Sequence, residues 1–442
     1  MDRYIINQAR SLVEETLKNA FPHELSGPRH AGPEEEFPVV NARGFMADIT
    51  PVFHELHLCG WMPKLDAVSG ALIGVYKQNM EIGMDVGRGT MEIGFPHVGN
   101  LLDHVPVRKQ TFALVDRLLE KHGFFRLKDY AIQPRTRPTP ELWAPKGRGM
   151  FFRDFFDPRV HAQTLTASSQ THIDVTQAEA LPALKAMLAL APVFIALNAN
   201  SPVWKENADP GGLLAVRQHC WYGFTVNHGF WSNVLCGPPN QNGSTRVEQA
   251  PESFEELAAI ISATPFIVRV SNNRIEGPGV SFETWYAASQ CDLSSDELRR
   301  DAFLNHEATI WWDARLRTAY GTIEVRPSCQ NRDSIATHAL VLGLIENLKV
   351  TLDFVHKVKT YAQWRNLQSH AIAYGLHTDK MPRIAHQVIW IAEEGLKRRG
   401  MGEEILLSPL KIRVQRSTSP AHTKLAIFKE SGIDALVDHL LG

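Results

Sequence analysis

The stretch AGPEEEFPVV, Ala31–Val40, sets three glutamates inside a run that otherwise reads as the start of a β-strand. Residues two apart on a strand share a face, so Glu34 and Glu36 point one way while Glu35 and Phe37 point the other. Two carboxylates about 7 Å apart on one face repel each other unless a cation lies between or beside them. A hard divalent ion such as Mg²⁺ accepts that arrangement. Taken alone, the three glutamates also fit a solvated acidic patch.

The same pattern recurs downstream. SSQTHIDV, Ser168–Val175, places Ser168, Gln170, His172 and Asp174 on one face, and Ser169, Thr171, Ile173 and Val175 on the other. GTIEVRPS, Gly321–Ser328, places Thr322, Glu324 and Arg326 opposite Ile323 and Val325, and GMDVGRGTMEIGF contributes Asp85 and Glu92 among apolar neighbours. Acidic residues are poor strand formers. Four strands presenting them predict a sheet whose apolar side is covered by helices and whose polar side forms a basin. There acids would hold metal ions while basic residues hold phosphates. PKGRGMFFRDFF, Pro145–Phe156, supplies Lys146, Arg148 and Arg153. Lys146 and Arg148 also fit an ordinary surface loop. An arginine among phenylalanines needs a partner, and in a strand Asp154 would point away from Arg153.

With 442 residues, 44% of them hydrophobic, the chain is long enough for a large core. Its 48 acids against 46 Lys and Arg give a formal net charge of -2, so no global field draws it to nucleic acid or an anionic membrane. The five cysteines are odd in number and lack CxxC spacing, which predicts free thiols in a reducing cytoplasm. The charged amino terminus does not read as a signal peptide, and no uninterrupted apolar run approaches the roughly 18 residues of a membrane span. A soluble protein without a membrane partner is expected.

Apolar spacing predicts helices over the first twenty residues, over RKQTFALVDRLLEKHG ended by Gly123, over QAEALPALKAMLALAPVFIAL, over DSIATHALVLGLIENLKVTLDFVHKV as one element, and over MPRIAHQVIWIAEEGLKRRG ended by Gly400. The glycine-rich run Ser69–Phe95 reads as a pair of strands joined by a turn. Polar turn sequences near Asn207 and from Gly237 read as loops. Strands and helices do not follow a βαβ rhythm, so the expected fold class is α+β, a curved, mainly antiparallel sheet surrounded by helices. The chain reads as one catalytic domain, 1–442, with its sheet and flanking helices in 29–332 and a helical part, 333–442, packed on that core.

These residues resemble a known family. GPEEEF resembles the G-x-E-x-E signature of the carboxylate-amine ligases related to plant-type glutamate-cysteine ligase, glutamate-cysteine ligase family 2. MEIGFP, PKGRGMFFRDFF, SSQTHIDV, ALNANSPVWKEN, AVRQHCW and GTIEVRPSCQ are similar to later motifs of that family, in the family's order, from about Gly32 to Arg332. The resemblance implies a sheet like that of glutamine synthetase, holding ATP and two or three Mg²⁺ ions, with Mn²⁺ as a substitute. ATP would phosphorylate a small-molecule carboxylate, and an amine would then displace phosphate to leave an amide. On this reading Glu34, Glu36, Asp85, Glu92, His172 and Glu324 hold the metals. Arg153 and Arg326 stabilise the transferring phosphoryl group, Lys146 reaches the nucleotide, and Gln170 faces the metals or the acyl phosphate. His172 stands where the family usually has asparagine. Arg217 corresponds to a family arginine that holds a substrate carboxylate, with Trp221 and Tyr222 beside it.

One departure bears on substrate choice. The run from Trp221 to Arg246 contains no acid, where enzymes making γ-glutamylcysteine carry acids and an arginine. Tyr222, Phe224, Phe230 and Trp231 would wall a pocket for a bulkier or less charged substrate. Alternatives to the ligase are a phosphotransferase akin to guanidino kinases, or a binding module without turnover. A monomer or a homodimer is expected.

Overall fold

The computed structural model describes residues 3–222, 250–271, 273–289 and 293–442. Among these, nine strands form one antiparallel sheet: β1 (Ala31–Asn41), β2 (Met62–Leu65), β3 (Leu72–Lys77), β4 (Met80–Met84), β5 (Thr90–Gly94), β6 (Phe124–Arg126), β7 (Ser168–Asp174), β8 (Ala314–Arg317) and β9 (Thr322–Cys329). Their order is β8-β9-β7-β1-β5-β4-β3-β2, and β6 pairs with the far end of β1. The α+β class and the antiparallel sheet are as expected.

β1 is the central organiser of this sheet. Its period-two alternation sends Phe37 and Val39 into a fully buried apolar cluster, and it carries Glu35 to that same covered side. Glu35 is reconciled with burial by partners: Arg108 donates to both its oxygens, at 2.5 and 2.9 Å, and Ser334 Oγ donates at 2.7 Å. Burial opposes ionisation of Glu35, but the charge and hydrogen bonds of Arg108 prevail and hold its carboxyl at about 2. On β7, Ile173 lies in the main core while Thr171 bonds to His338 at 2.8 Å, and on β9 Ile323 and Val325 are buried. Each of these strands therefore turns its Glu34, His172 or Glu324 to the opposite side.

The covering helices include Gln177–Asn198, which packs on β9, and Ser334–Glu346, which packs on β7 and β1. Gln177–Asn198 is long and apolar enough to cross a membrane, a composition that the search for uninterrupted runs overlooked. Its most apolar window is 89% buried inside the protein, the environment of a core helix. Three further expectations are corrected. The run Ser69–Phe95 forms three strands, β3 to β5. The helix expected over Asp333–Val358 divides at Asn347 into Ser334–Glu346 and Leu348–Val358, bent by 92°. PKGRGMFFRDFF folds as a helix, Gly147–Phe155.

Candidate active site

The polar face of the sheet gathers two acidic triads. Glu34, His172 and Glu324 bring one ligand atom each to within 4.8 Å of one another, and Glu36, Asp85 and Glu92 do the same. The register explains this convergence. Glu36 pairs with Glu92 across β1 and β5, Glu34 with Gln170 across β1 and β7, and His172 with Glu324 across β7 and β9. Asp85 follows the end of β4.

Electrostatics separates the two groups. Burial and the charge of Asp85 push the Glu36 carboxyl up to about 8, and burial with Glu34 and Asp85 pushes Glu92 well above the usual carboxylate range. For Glu34, burial opposes ionisation, but the hydrogen bond and charge of His172 outweigh it and hold the carboxyl at about 2. Glu324 is likewise buried, and Arg315, Arg326 and Arg317 override burial to hold it well below the ordinary value. Arg315 donates to both Glu324 oxygens, at 2.8 and 3.2 Å, Arg317 donates at 3.2 Å, and Arg326 pairs with the same carboxylate.

Gln170 joins the two groups. Its amide nitrogen donates to Glu36 at 2.5 Å, and its carbonyl oxygen accepts from Arg326 at 2.6 Å. His172 Nδ1 lies 3.0 Å from the Thr322 hydroxyl, while Nε2 lies 3.6 Å from Glu34 and 3.9 Å from Glu324. An imidazole fastened through Nδ1 presents Nε2 as a metal ligand.

A cavity of about 320 Å³ opens over this face. Glu34, Asp85, Glu92, Gln170, His172 and Glu324 line it, together with Lys146, Arg326 and Trp221. Glu36 bonds to Gln170 just beneath. Arg148, Arg315 and Arg317 complete a set of five lysines and arginines in the lining. Lys146 acts electrostatically on Glu92, and Arg148 on Asp85 and Glu92, while Gln163, also in the lining, has an amide nitrogen without a hydrogen-bond partner among the described residues.

Two expected site residues lie outside the cavity lining, and the side chain of a third is not among those described. Arg153 is outside the cavity lining, because the segment is a helix and its guanidinium forks onto Asp154 at 2.7 and 2.9 Å. Arg217 is buried with its guanidinium 5.6 Å from the Trp221 ring centroid, donates to Gln218 at 2.6 Å, and does not line the cavity. Tyr222 ends the helix Val216–Tyr222, and its side chain, like Phe224, Phe230 and Trp231, lies outside the described residues. The reading of the sequence missed Arg315, Arg317, Trp311, Tyr320 and Gln163. The signal for the first two was present in ARLR, Ala314–Arg317, whose arginines alternate on one face.

A second cavity of about 650 Å³ adjoins the first, sharing Glu34, His172 and Tyr320. His97 lines it close to Gly32, where a Cβ would come within 2.8 Å of the imidazole, so glycine is what admits this approach. Burial, with the charges of His172 and His30, holds His97 below the ordinary histidine value.

Glutamate-cysteine ligases named as chloroplastic, from Arabidopsis thaliana and Medicago truncatula, are 24% and 23% identical over 335 and 339 residues, in each case 70% of this chain. The chain spans 59% and 61% of the length of those relatives. Their names overturn the cytoplasmic expectation: scattered free thiols indicate reducing surroundings without specifying which compartment provides them. Two solved structures share the fold. A glutamate-cysteine ligase from Francisella tularensis in complex with AMP superposes with a TM-score of 0.52 at 11% identity, covering 95% of this chain and 88% of that one. A bifunctional glutathione synthetase from Pasteurella multocida gives 0.50 at 13% identity, covering 100% of this chain and 53% of that one. Residues 31–439 match the family model for Glutamate-cysteine ligase family 2 (GCS2), and the chain belongs to that family.

Proposed function

We propose that this protein is an ATP-dependent ligase that joins a small carboxylate to an amine through an acyl phosphate. The observation that supports it best is the convergence on one cavity of five of the six residues of the two ligand groups, Glu34, Asp85, Glu92, His172 and Glu324, with five cationic side chains. Oxygen donors in close triads fit Mg²⁺, and the single imidazole also admits Mn²⁺. Glu34, His172 and Glu324 would hold one ion, and Glu36, Asp85 and Glu92 another. Ions held there would neutralise charge on the phosphoryl group as it transfers.

The remaining work falls to the chain's own groups. Lys146 and Arg148, cations in the lining, bind the polyphosphate, and the Gln163 amide offers a donor to the same ligands. A carboxylate oxygen of the acid attacks the γ-phosphorus, the bond to the bridging oxygen of ADP breaks, and an acyl phosphate forms. Arg326, oriented by Gln170, supplies positive charge beside the phosphoryl oxygens. The amine, having lost one proton to solvent, attacks the acyl carbon with its lone pair. The carbon–oxygen bond to phosphate breaks, the nitrogen gives up a second proton, and amide and phosphate leave.

Incubation with Mg-ATP, a panel of amino acids and hydroxylamine tests this reading. A hydroxamate is the expected product and identifies the activated carboxylate. A stable phosphorylated acceptor, formed without amine-dependent phosphate release, would instead establish a phosphotransferase.

A further inference from the structure

The turn between β2 and β3, residues 66–71, reaches across to the segment that carries Lys146. It is closed by Asp66 N donating to Ala71 O and by Gly70 N donating to Asp66 O, both at 2.9 Å. One oxygen of Asp66, Oδ1, accepts from Val68 N at 3.1 Å and from Ser69 N at 2.8 Å within the turn, and from Gly147 N at 3.0 Å beyond it. Burial opposes ionisation of Asp66, but the hydrogen bonds from Ser69, Gly147 and Val68 outweigh it and hold the carboxyl below its ordinary value. Ser69 Oγ in turn donates to Pro145 O at 2.6 Å.

These contacts bracket one residue. Pro145 O belongs to the peptide plane before Lys146 and Gly147 N to the plane after it, so fastening both planes to one turn sets the φ and ψ of Lys146. Lys146 stands at the N-cap of the helix Gly147–Phe155 and makes no cap bond with its own side chain, and Asp66 supplies that acceptor from another part of the chain. Packing points the same way: a Cβ on Gly147 would come within 2.6 Å of Val68 Cβ, so only glycine lets the turn sit this close to the helix. The lysine held in this way lines the first cavity and acts electrostatically on Glu92, whereas Asp66 and Ser69 do not line that cavity. We propose that Asp66, assisted by Ser69, is a positioning residue that aims Lys146 at the nucleotide phosphates, so that a hairpin at the sheet edge sets the affinity for Mg-ATP. This deepens the ligase reading above and rests on it.

The test measures Mg-ATP binding by titration calorimetry and amide exchange by mass spectrometry, both on the full chain. Asp66→Ala is expected to weaken Mg-ATP binding by about 5-fold or more and to speed exchange over residues 146–150 by about 10-fold or more, with β1 and β5 unchanged. Asp66→Asn, which keeps an acceptor oxygen, is expected to regain most of that affinity. In a Lys146→Met background the effect of Asp66→Ala on binding is expected to shrink to less than about 2-fold, because the two changes act through one group. Unchanged exchange in Asp66→Ala would overturn the clamp. An undiminished loss in the Lys146→Met background would overturn the positioning role, since a merely structural change weakens both proteins alike. Failure of the wild-type protein to bind Mg-ATP, with exchange still accelerated by the substitution, would overturn the ligase reading and this inference together.

Discussion

Glu36 lies directly across from Glu92 in the antiparallel register of β1 and β5, with Asp85 close to both. Like charges in directly opposed positions destabilise a sheet, so this pair is a cost to folding that the proposed cation would offset.

The first prediction follows from that cost. Burial and Asp85 raise the Glu36 carboxyl to about 8 from an unfolded value of 4.5, so the folded state binds more protons than the unfolded one between those limits. Its stabilising contribution is complete below pH 4.5 and is lost as pH rises through 8. In chelator, the melting temperature should therefore fall across this window. Glu36→Gln should flatten the fall and raise the melting temperature near pH 8 by roughly 5 °C, and it should abolish turnover. Calorimetry at several pH values, with and without Mg²⁺, measures this.

Glu35 should behave unlike its two neighbours. Arg108→Met leaves a fully buried carboxylate uncompensated and should cost about 3–5 kcal/mol in urea unfolding. Adding Glu35→Gln should recover part of that loss. Divalent metal binding, followed by titration calorimetry, should persist in Glu35→Gln and fail in Glu34→Ala.

The two arginines of the helix Gly147–Phe155 should separate in kinetics. Arg148→Ala should raise the KM for ATP by about 10-fold or more, since it removes a cavity cation. Arg153→Ala, which breaks a partly exposed pair with Asp154, should change kcat/KM by less than about 2-fold.

His172→Asn should shift metal preference. Replacing imidazole with an amide oxygen removes the softer ligand, so the ratio of Mn²⁺-supported to Mg²⁺-supported turnover should fall by about 3-fold or more, with the fold intact. An unchanged ratio would argue that Nε2 does not touch the metal.

Strand alternation was the most legible feature of the sequence. A period of two separated Glu34 and Glu36 from Glu35, and it grouped Gln170 with His172 and Glu324 with Arg326, because a sheet with one covered face writes its burial directly into every second residue. Where the sequence offered no period, the reading failed. GRGMFFRDF has glycines and adjacent phenylalanines, so nothing marked it as a helix, and Arg153 was chosen where Arg148 lines the cavity. The break at Asn347 was hidden because Ser334–Glu346 is apolar on nearly all sides, and an all-round apolar helix records neither its face nor its end. The Arg315–Glu324 pairing joins residues on neighbouring strands whose register only the folded sheet reveals.

The Gln170 amide is fastened at both ends, by its nitrogen to Glu36 and by its oxygen to Arg326. A primary amide cannot exchange those two roles without rotating half a turn and breaking both bonds. Attempts to retune one acidic pocket by substitution will therefore be transmitted across this single side chain to the other, and the two halves of the centre will have to be redesigned together.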